Sequence, residues 1–342
     1  MRLALDVMGG DHGPVVVLPA AAQALVRHPS LQLILVGPGA LLNRECASLP
    51  GLSEALSTRR AKIVDAPEAV DMEDKPSVAL RSKRQSSMRL AINAVRDGEA
   101  DAAVSAGNTG ALMAIARFVL KMQPGIDRPA ICAAMPGQGG HTHMLDLGAN
   151  VDAGPEILLQ FALMGSVLCS ALEGREAPSI GLLNIGEEEI KGGEGLREAA
   201  QRISDSGLNY VGFVEGNHIF DSRVDVIVCD GFSGNVALKA SEGAAKLITG
   251  VMREEFTRNA ASRLAALLAR PVLRRLRARI DPRQYNGASL LGLRGIVVKS
   301  HGSADIEAFG NAIDVAIAEA ENQVPKRILA LLEQQQSARP IT

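Results

Sequence analysis

The chain of 342 residues has no tryptophan, only two tyrosines and only seven phenylalanines. So few flat rings leave little for base stacking. With 36 basic against 38 acidic residues there is no cationic surplus for a phosphate backbone, so a general nucleic-acid binder is excluded. Cysteine is scarce too: Cys46, Cys132, Cys169 and Cys229 lie far apart with no CxxC. That spacing argues against a disulfide framework or a zinc–thiolate site and reads as reduced, mostly buried thiols. Long apolar runs are missing. The longest, residues 157–172, includes Gln160, Ser166 and Ser170, and is short for a membrane span but suits a buried helix. Asp6 and Gly9-Gly10 break any signal-peptide core, so a cytosolic chain is expected. Disorder is excluded by a hydrophobic share of 47% and a net charge of only -2. What is present in surplus is glycine, 34 residues, without a triplet period.

Short β-branched runs alternate with longer helical patterns. Strands are expected at 3–7, 31–36, 62–64, 102–105, 131–134, 144–147, 180–184, 210–214, 224–229 and 295–299. Helices are expected over 15–27, 78–95, 111–121, 155–172, 196–204, from 236 onward, and over 306–320. Several strands are largely apolar runs, which suits strands covered on both faces. The expected fold is therefore α/β, a Rossmann-like three-layer α/β/α sandwich with a largely parallel sheet, forming one catalytic domain over residues 1–342. Residues 236–283 depart from the alternation. Between positions 253 and 283 there are nine arginines against Glu254, Glu255 and Asp281. Apolar residues recur at Leu264, Leu267, Leu268, Leu273, Leu276 and Ile280, and Pro271 is expected to interrupt the helix. This reads as a protruding helical hairpin inserted in the domain. Its Arg-rich face suits solvent, a dimer mate or an anionic membrane.

The glycines cluster where strands give way to helices, in six loops: 9–14, 105–110, 146–152, 184–187, 230–235 and 301–305. In an open parallel sheet such loops share the carboxyl edge, where ligands bind. Glycine admits close backbone approach, and free N–H groups at helix starts attract anions. The loops read as a phosphate- or carboxylate-binding cleft, with Asp11, His12, Asn108, Thr109, Asp146, Asn150, Asp230, Ser233 and His301 as candidate binding residues. Each Asn, Asp, Ser or Thr has a competing reading as a helix cap. Neither GxGxxG nor GxxxxGK[ST] occurs, and without a GxSxG elbow a hydrolase triad is disfavoured. His141 and His143 follow Gly139-Gly140 with no Cys or carboxylate nearby in sequence, so no metal is expected.

Taken together, these loops resemble the bacterial phosphate acyltransferases, the acyl-acyl-carrier-protein:phosphate acyltransferases of phospholipid synthesis. The N-terminal Leu-Asp-Val-Met-Gly-Gly-Asp-His-Gly core carries the resemblance. Matching segments follow in order at 105–113, 145–152, 181–193, 212–220, 225–243 and 290–304. One departure is Ser289, where some members have proline. The resemblance implies transfer of a fatty acyl group from acyl carrier protein to inorganic phosphate, giving an acyl phosphate. It also implies a homodimer, peripheral membrane association from the cytoplasm, and no cofactor. The family's functional lysine falls on Lys191 and its functional asparagine on Asn235, the expected catalytic pair. Arg81, Arg84 and Arg89 on the expected 78–95 helix offer a basic docking face for the acidic carrier protein. Leu268, Leu273 and Leu276 are the expected membrane contacts. Two other readings of the residues stay open. One is an enzyme of the same broad fold on another acyl or carboxylate substrate, either a phosphotransacetylase or a dehydrogenase like isocitrate dehydrogenase. The other is a non-catalytic scaffold for acyl carrier protein.

Overall fold

The computed structural model describes residues 1–338; the side chains of residues 276–280, 282 and 336–338 lie outside that description. The chain begins with β1 (Arg2–Asp6), α1 (Pro14–Arg27), β2 (Gln32–Gly37), α2 (Gly39–Ala47), α3 (Pro50–Ser57) and β3 (Ala61–Asp65). It continues through α4 (Pro76–Ser82), α5 (Ser87–Arg96), β4 (Ala102–Ser105), α6 (Thr109–Leu120), the hairpin of β5 (Ala130–Gly137) and β6 (Gly140–Leu145), and α7 (Pro155–Glu173). Then come β7 (Ile180–Leu183), α8 (Glu194–Ser204), β8 (Tyr210–Val214), β9 (Val226–Val228), α9 (Gly231–Thr257) and α10 (Ala260–Ile280). The described part ends with β10 (Ala288–Leu291), β11 (Ile296–Lys299), α11 (Ile306–Glu321) and α12 (Val324–Ala338).

All the strands join one sheet of eleven, in the order β3-β2-β1-β4-β11-β10-β5-β6-β9-β7-β8. The largely parallel α/β fold is as expected. Its central strands are apolar because helices cover both faces. Leu3, Leu5, Leu33 and Val104 pack beneath α1 and α11, while Ala4, Ile34 and Ala103 face α5 on the other side. In the far half, Leu145, Leu182 and Val226 pack on Phe161 of α7.

Four sequence expectations are corrected. The six loops do not share one edge. β10 is antiparallel to β11 and to β5, and β5 is antiparallel to β6, so the block β6-β9-β7-β8 runs opposite to β3-β2-β1-β4-β11. The reversal comes at the β5–β6 hairpin, because β10 is antiparallel to both its neighbours and leaves β5 parallel to β11; β10 itself had no signal of its own. The single helix over 78–95 is two. Ser86 is extended and starts α5 as its cap, accepting the Arg89 N–H at 3.3 Å. Pro271 lies inside α10 rather than ending it, and the hairpin turns instead at Asn259, which caps α10 by accepting the Ser262 N–H at 2.8 Å. One missing donor is a cost that a helix of 21 residues can absorb. Fourth, α2, α3 and α12 were not foreseen, because their apolar faces are short. Among the described residues, α7 is the one helix long and apolar enough to cross a membrane, and 67% of that stretch is buried inside the fold.

Candidate active site

β1, β4 and β11 are neighbours, so the loops that follow them lie side by side. Asp6 closes β1 and is buried. One carboxylate oxygen accepts the Ser87 hydroxyl and the other the Ser105 hydroxyl, both at 2.6 Å. Burial raises its pKa, and the two hydroxyls and Lys299 oppose that shift. The loops touch backbone to backbone. A Cβ on Gly9 would stand 2.7 Å from Asp6 Oδ2 and 2.8 Å from the Gly107 nitrogen, and Asp11 N–H donates to Gly302 O at 2.9 Å. Under them Lys299 is 8% exposed, and its ammonium donates to Ala106 O at 3.2 Å and to Ser300 O. Desolvation brings its pKa down to about 8, against the pull of Asp6 and Asp11.

Of the candidates in this group, Asp11, His12 and Thr109 are exposed. Asn108 caps α6 through Ala111 N–H at 3.0 Å and donates to the carbonyls of Met72 and Asp74, so its amide is committed to the fold. His301 has a defined tautomer. Its Nδ1 accepts the Ser303 N–H at 3.2 Å, which puts the proton on Nε2. Loss of water around the ring lowers its pKa, so the imidazole is neutral at pH 7 and donates from Nε2.

The second group follows β6, β9 and β7, also neighbours. The Leu145–Asp146 peptide is cis. The buried Asp146 carboxylate accepts N–H groups of Ile131, Ala149 and Asn150 and the Asn150 amide, at 2.7–3.0 Å. Asn150 also donates to Pro129 O at 2.8 Å. This pair therefore shapes the loop from inside. Asp230 caps α9, accepting the Ser233 N–H at 2.7 Å and the Ser233 hydroxyl at 3.1 Å. The start of α9 presses onto the Asp146 loop. A Cβ on Gly234 would lie 1.9 Å from Asp146 O, and one on Gly231 2.4 Å from Asn150 O. Much of the glycine surplus thus serves contact between loop and loop. Asn235 is exposed on the first turn of α9, beside Gly148. Lys191 sits in the loop after β7, folded over Gly186, with Nζ 3.1 Å from Glu188 Oε1. No contact joins Lys191 to Asn235 among the described residues; adjacency of β7 and β9 makes their loops neighbours.

Helix α9 links the two groups. It starts at the Asp146 loop and carries Lys239, Glu242 and Lys246 near enough to His301 to act on it electrostatically. Positive charge is thereby gathered along one helix, with Lys239 and Lys246 on it and the His301 and Lys299 loop alongside, while the N–H groups at its start are taken up by Asn150 O, Val151 O and Asp230.

The remaining candidates lie elsewhere. Arg81 ends α4, and Arg84 follows in the turn with its Nε donating to Arg81 O. Arg89 lies on α5, half-buried, 5.3 Å above the Phe118 ring. The three do not line one helix face, because the helix expected to carry them is broken. On the hairpin, Leu268 is 75% exposed and Leu273 half-exposed; the Leu276 side chain lies outside the described residues. Sequence reading missed Lys299, Asp6, Ser87 and Ser105; a lysine ending the apolar Ile-Val-Val-Lys strand was the available signal. It also missed the carboxylate beside His141 and His143. Glu173 supplies one from the end of α7, at 2.7 and 3.3 Å.

Comparison with known proteins agrees with this architecture. The family described as fatty acid synthesis protein matches residues 1–327. A phosphate acyltransferase of Alkalilimnicola ehrlichii is 59% identical over 333 residues, 97% of this chain and 96% of its own length. One of Methylococcus capsulatus is 58% identical over 95% of each chain. Among solved structures, a phosphotransacetylase from Staphylococcus aureus superposes with a TM-score of 0.60 at 16% identity over 94% of both chains, and one from Streptococcus pyogenes with 0.59; these share the fold. Near-complete coverage at such identity shows that the chain belongs to the phosphate acyltransferase family of fatty acid synthesis.

Proposed function

We propose that the chain moves a fatty acyl group from acyl carrier protein to inorganic phosphate by direct attack, using Lys191 and Asn235. The observation that carries this reading is α9, which presents the exposed Asn235 at one end and Lys239 and Lys246 beside His301 further on. At neutral pH phosphate is largely dianionic and needs positioning and charge compensation rather than a base. Lys191 and the glycine-loop N–H groups provide both. Phosphate oxygen bonds to the thioester carbon, and the carbonyl oxygen takes the developing charge against the Asn235 amide. The C–S bond then breaks, and the leaving thiolate, with a thiol pKa of about 8.5, takes a proton from water. Asp11, His12, Thr109 and the neutral His301 border the phosphate in this reading, while Asp146, Asn150, Asp230, Ser233 and Asn108 hold its loops in shape.

Nucleophilic catalysis by the protein is disfavoured by burial. All four cysteines are buried and burial pushes their thiols up, Cys169 to about 12. Ser303 Oγ lies 2.9 Å from His301 Nδ1, but that nitrogen already accepts the Ser303 N–H. Acyl-enzyme labelled on Ser303 in the absence of phosphate would therefore sink direct attack. The activity itself is tested with palmitoyl-acyl carrier protein and phosphate, following acyl phosphate and free thiol together. Failure of both to appear, with phosphate varied over a wide range, counts against the reading.

We further propose one catalytic domain bearing the hairpin, working as a cytoplasmic homodimer that touches an anionic membrane through the hairpin. Leu264, Leu267, Leu268 and Val272 are exposed among Arg263, Arg270, Arg274 and Arg275. That mixture suits the headgroup boundary. The carrier protein, being acidic, is assigned to Arg81, Arg84 and Arg89 near the first loop group.

A further inference from the structure

His141 and His143 are two residues apart on β6, so their imidazoles stand on the same face of the sheet. Glu173, the last residue of α7, reaches both. Its Oε1 lies 2.7 Å from His141 Nε2 and 3.3 Å from His143 Nε2, and the two rings meet edge to face with centroids 5.2 Å apart. One nitrogen or oxygen from each side chain falls within a span of 4.8 Å. The site is open on one side and walled on the other: the side chain of His143 is 6% exposed, against 30% for His141 and 27% for Glu173.

We propose that His141, His143 and Glu173 bind a divalent first-row transition-metal ion, with zinc the best match. Two imidazoles and one carboxylate are the donor set that zinc takes when it keeps an open fourth position. Bonds of roughly 2.0–2.1 Å at tetrahedral angles separate ligand atoms by roughly 3.3 Å. The His143–Glu173 pair already has that spacing, and the His141–Glu173 pair must open by roughly half an ångström. One oxygen of Glu173 accepts from both imidazoles. The ion replaces those shared hydrogens with coordination. The frame around the site is fixed. The His143 N–H donates to Asp225 O at 2.8 Å, and Asp225 also holds Arg175 at 3.0 Å, so the neighbouring positive charge is paired off.

The place in the fold gives the site a meaning. It clips the start of β6 to the end of α7, and β6 runs from there to the Asp146 loop at its other end. The ion is a staple for the strand that supports the loops and stands apart from their chemistry.

The test uses the full chain stripped with chelator, titrated with zinc by calorimetry and with cobalt(II) by visible absorption. Expected are one ion per chain at micromolar affinity or better, the absorption bands of four-coordinate cobalt, and a rise in melting temperature on adding zinc. Glu173→Gln and His143→Ala should weaken binding at least about tenfold and abolish the cobalt bands. His141→Asn keeps a donor for Glu173, and its fold is checked by its metal-free melting curve, so it stands in if His143→Ala fails to fold. The proposal fails if the stripped chain takes up no zinc at about 100 micromolar, or if Glu173→Gln and His141→Asn bind as the unaltered chain does.

Discussion

Gly148 and Asn235 face each other where the β6 loop meets the start of α9: a Cβ on Gly148 would sit 3.5 Å from the Asn235 Cβ and 3.7 Å from its Oδ1. Gly148 also has φ +121, a backbone region that side chains rarely adopt. Gly148→Ala should therefore act twice, by straining its own loop and by crowding the amide that faces the substrate. We expect kcat for acyl phosphate formation to fall at least about tenfold. An unchanged kcat would separate Gly148 from the reacting geometry.

Asn235 itself is exposed and carries none of the packing described around Gly231 and Gly234. Asn235→Ala should leave the melting temperature unchanged and lower kcat by roughly 100-fold, the usual cost of one oxyanion donor. Lys191→Ala should raise the KM for phosphate by roughly tenfold, again without loss of stability, because its pairing with Glu188 is a surface contact. A fall in stability comparable to the fall in rate would turn both residues into structural ones.

Gly234→Ala gives the contrasting case. Its Cβ would lie 1.9 Å from Asp146 O and 3.0 Å from Cys229 Sγ, in backbone that cannot yield cheaply. The expected result is a loss of about 2 kcal/mol or more in unfolding free energy, with the residual activity falling in proportion to folded protein. Chemical unfolding and active-site titration separate the two.

How far the sequence could be read follows from such residues. Strands such as Leu3–Leu5 and Val226–Val228 announce themselves because burial on both faces leaves no polar position. The glycine loops were legible as a set, since each stands at a strand end. Their edge was not, because it depends on β5 and β6 pairing as an antiparallel hairpin, and strand patterns alone do not say which strands pair or in which sense. Lys191 and Asn235 came from motif resemblance, and both are exposed, so burial does not mark them out. Glu173 was invisible beside His141 because 32 residues separate them, and only the packing of α7 on β6 brings the two together.

Glu319 is 3% exposed in α11, with the Ser289 hydroxyl donating to its carboxyl, and burial pushes its pKa from 4.5 up to about 7. This is the position where some relatives are expected to have proline in place of Ser289. A raised carboxyl pKa means that the folded chain holds the proton after the unfolded chain has lost it. Stability from this group is full below pH 4.5, falls as pH rises to about 7, and is level above. The span corresponds to about 3 kcal/mol. Glu319→Gln should flatten that descending segment and make the chain more stable than the unaltered protein at pH 8, while matching it near pH 4.5. Urea unfolding at both values checks the sign.

Membrane contact through the hairpin makes the most demanding expectation. Burying a leucine side chain is worth about 1.5–3 kcal/mol. Leu264 and Leu268 are 59% and 75% exposed and lie one turn apart on α10, so they enter a headgroup boundary together. Leu264→Glu with Leu268→Glu should reduce flotation with anionic vesicles at least tenfold, and added salt should weaken what the arginines contribute. Neither residue touches the loops around Asn235, so turnover with soluble carrier-protein substrate should stay as it was. If flotation persists and the protein instead passes from dimer to monomer, the apolar face of the hairpin belongs to the second copy, and the membrane is met elsewhere.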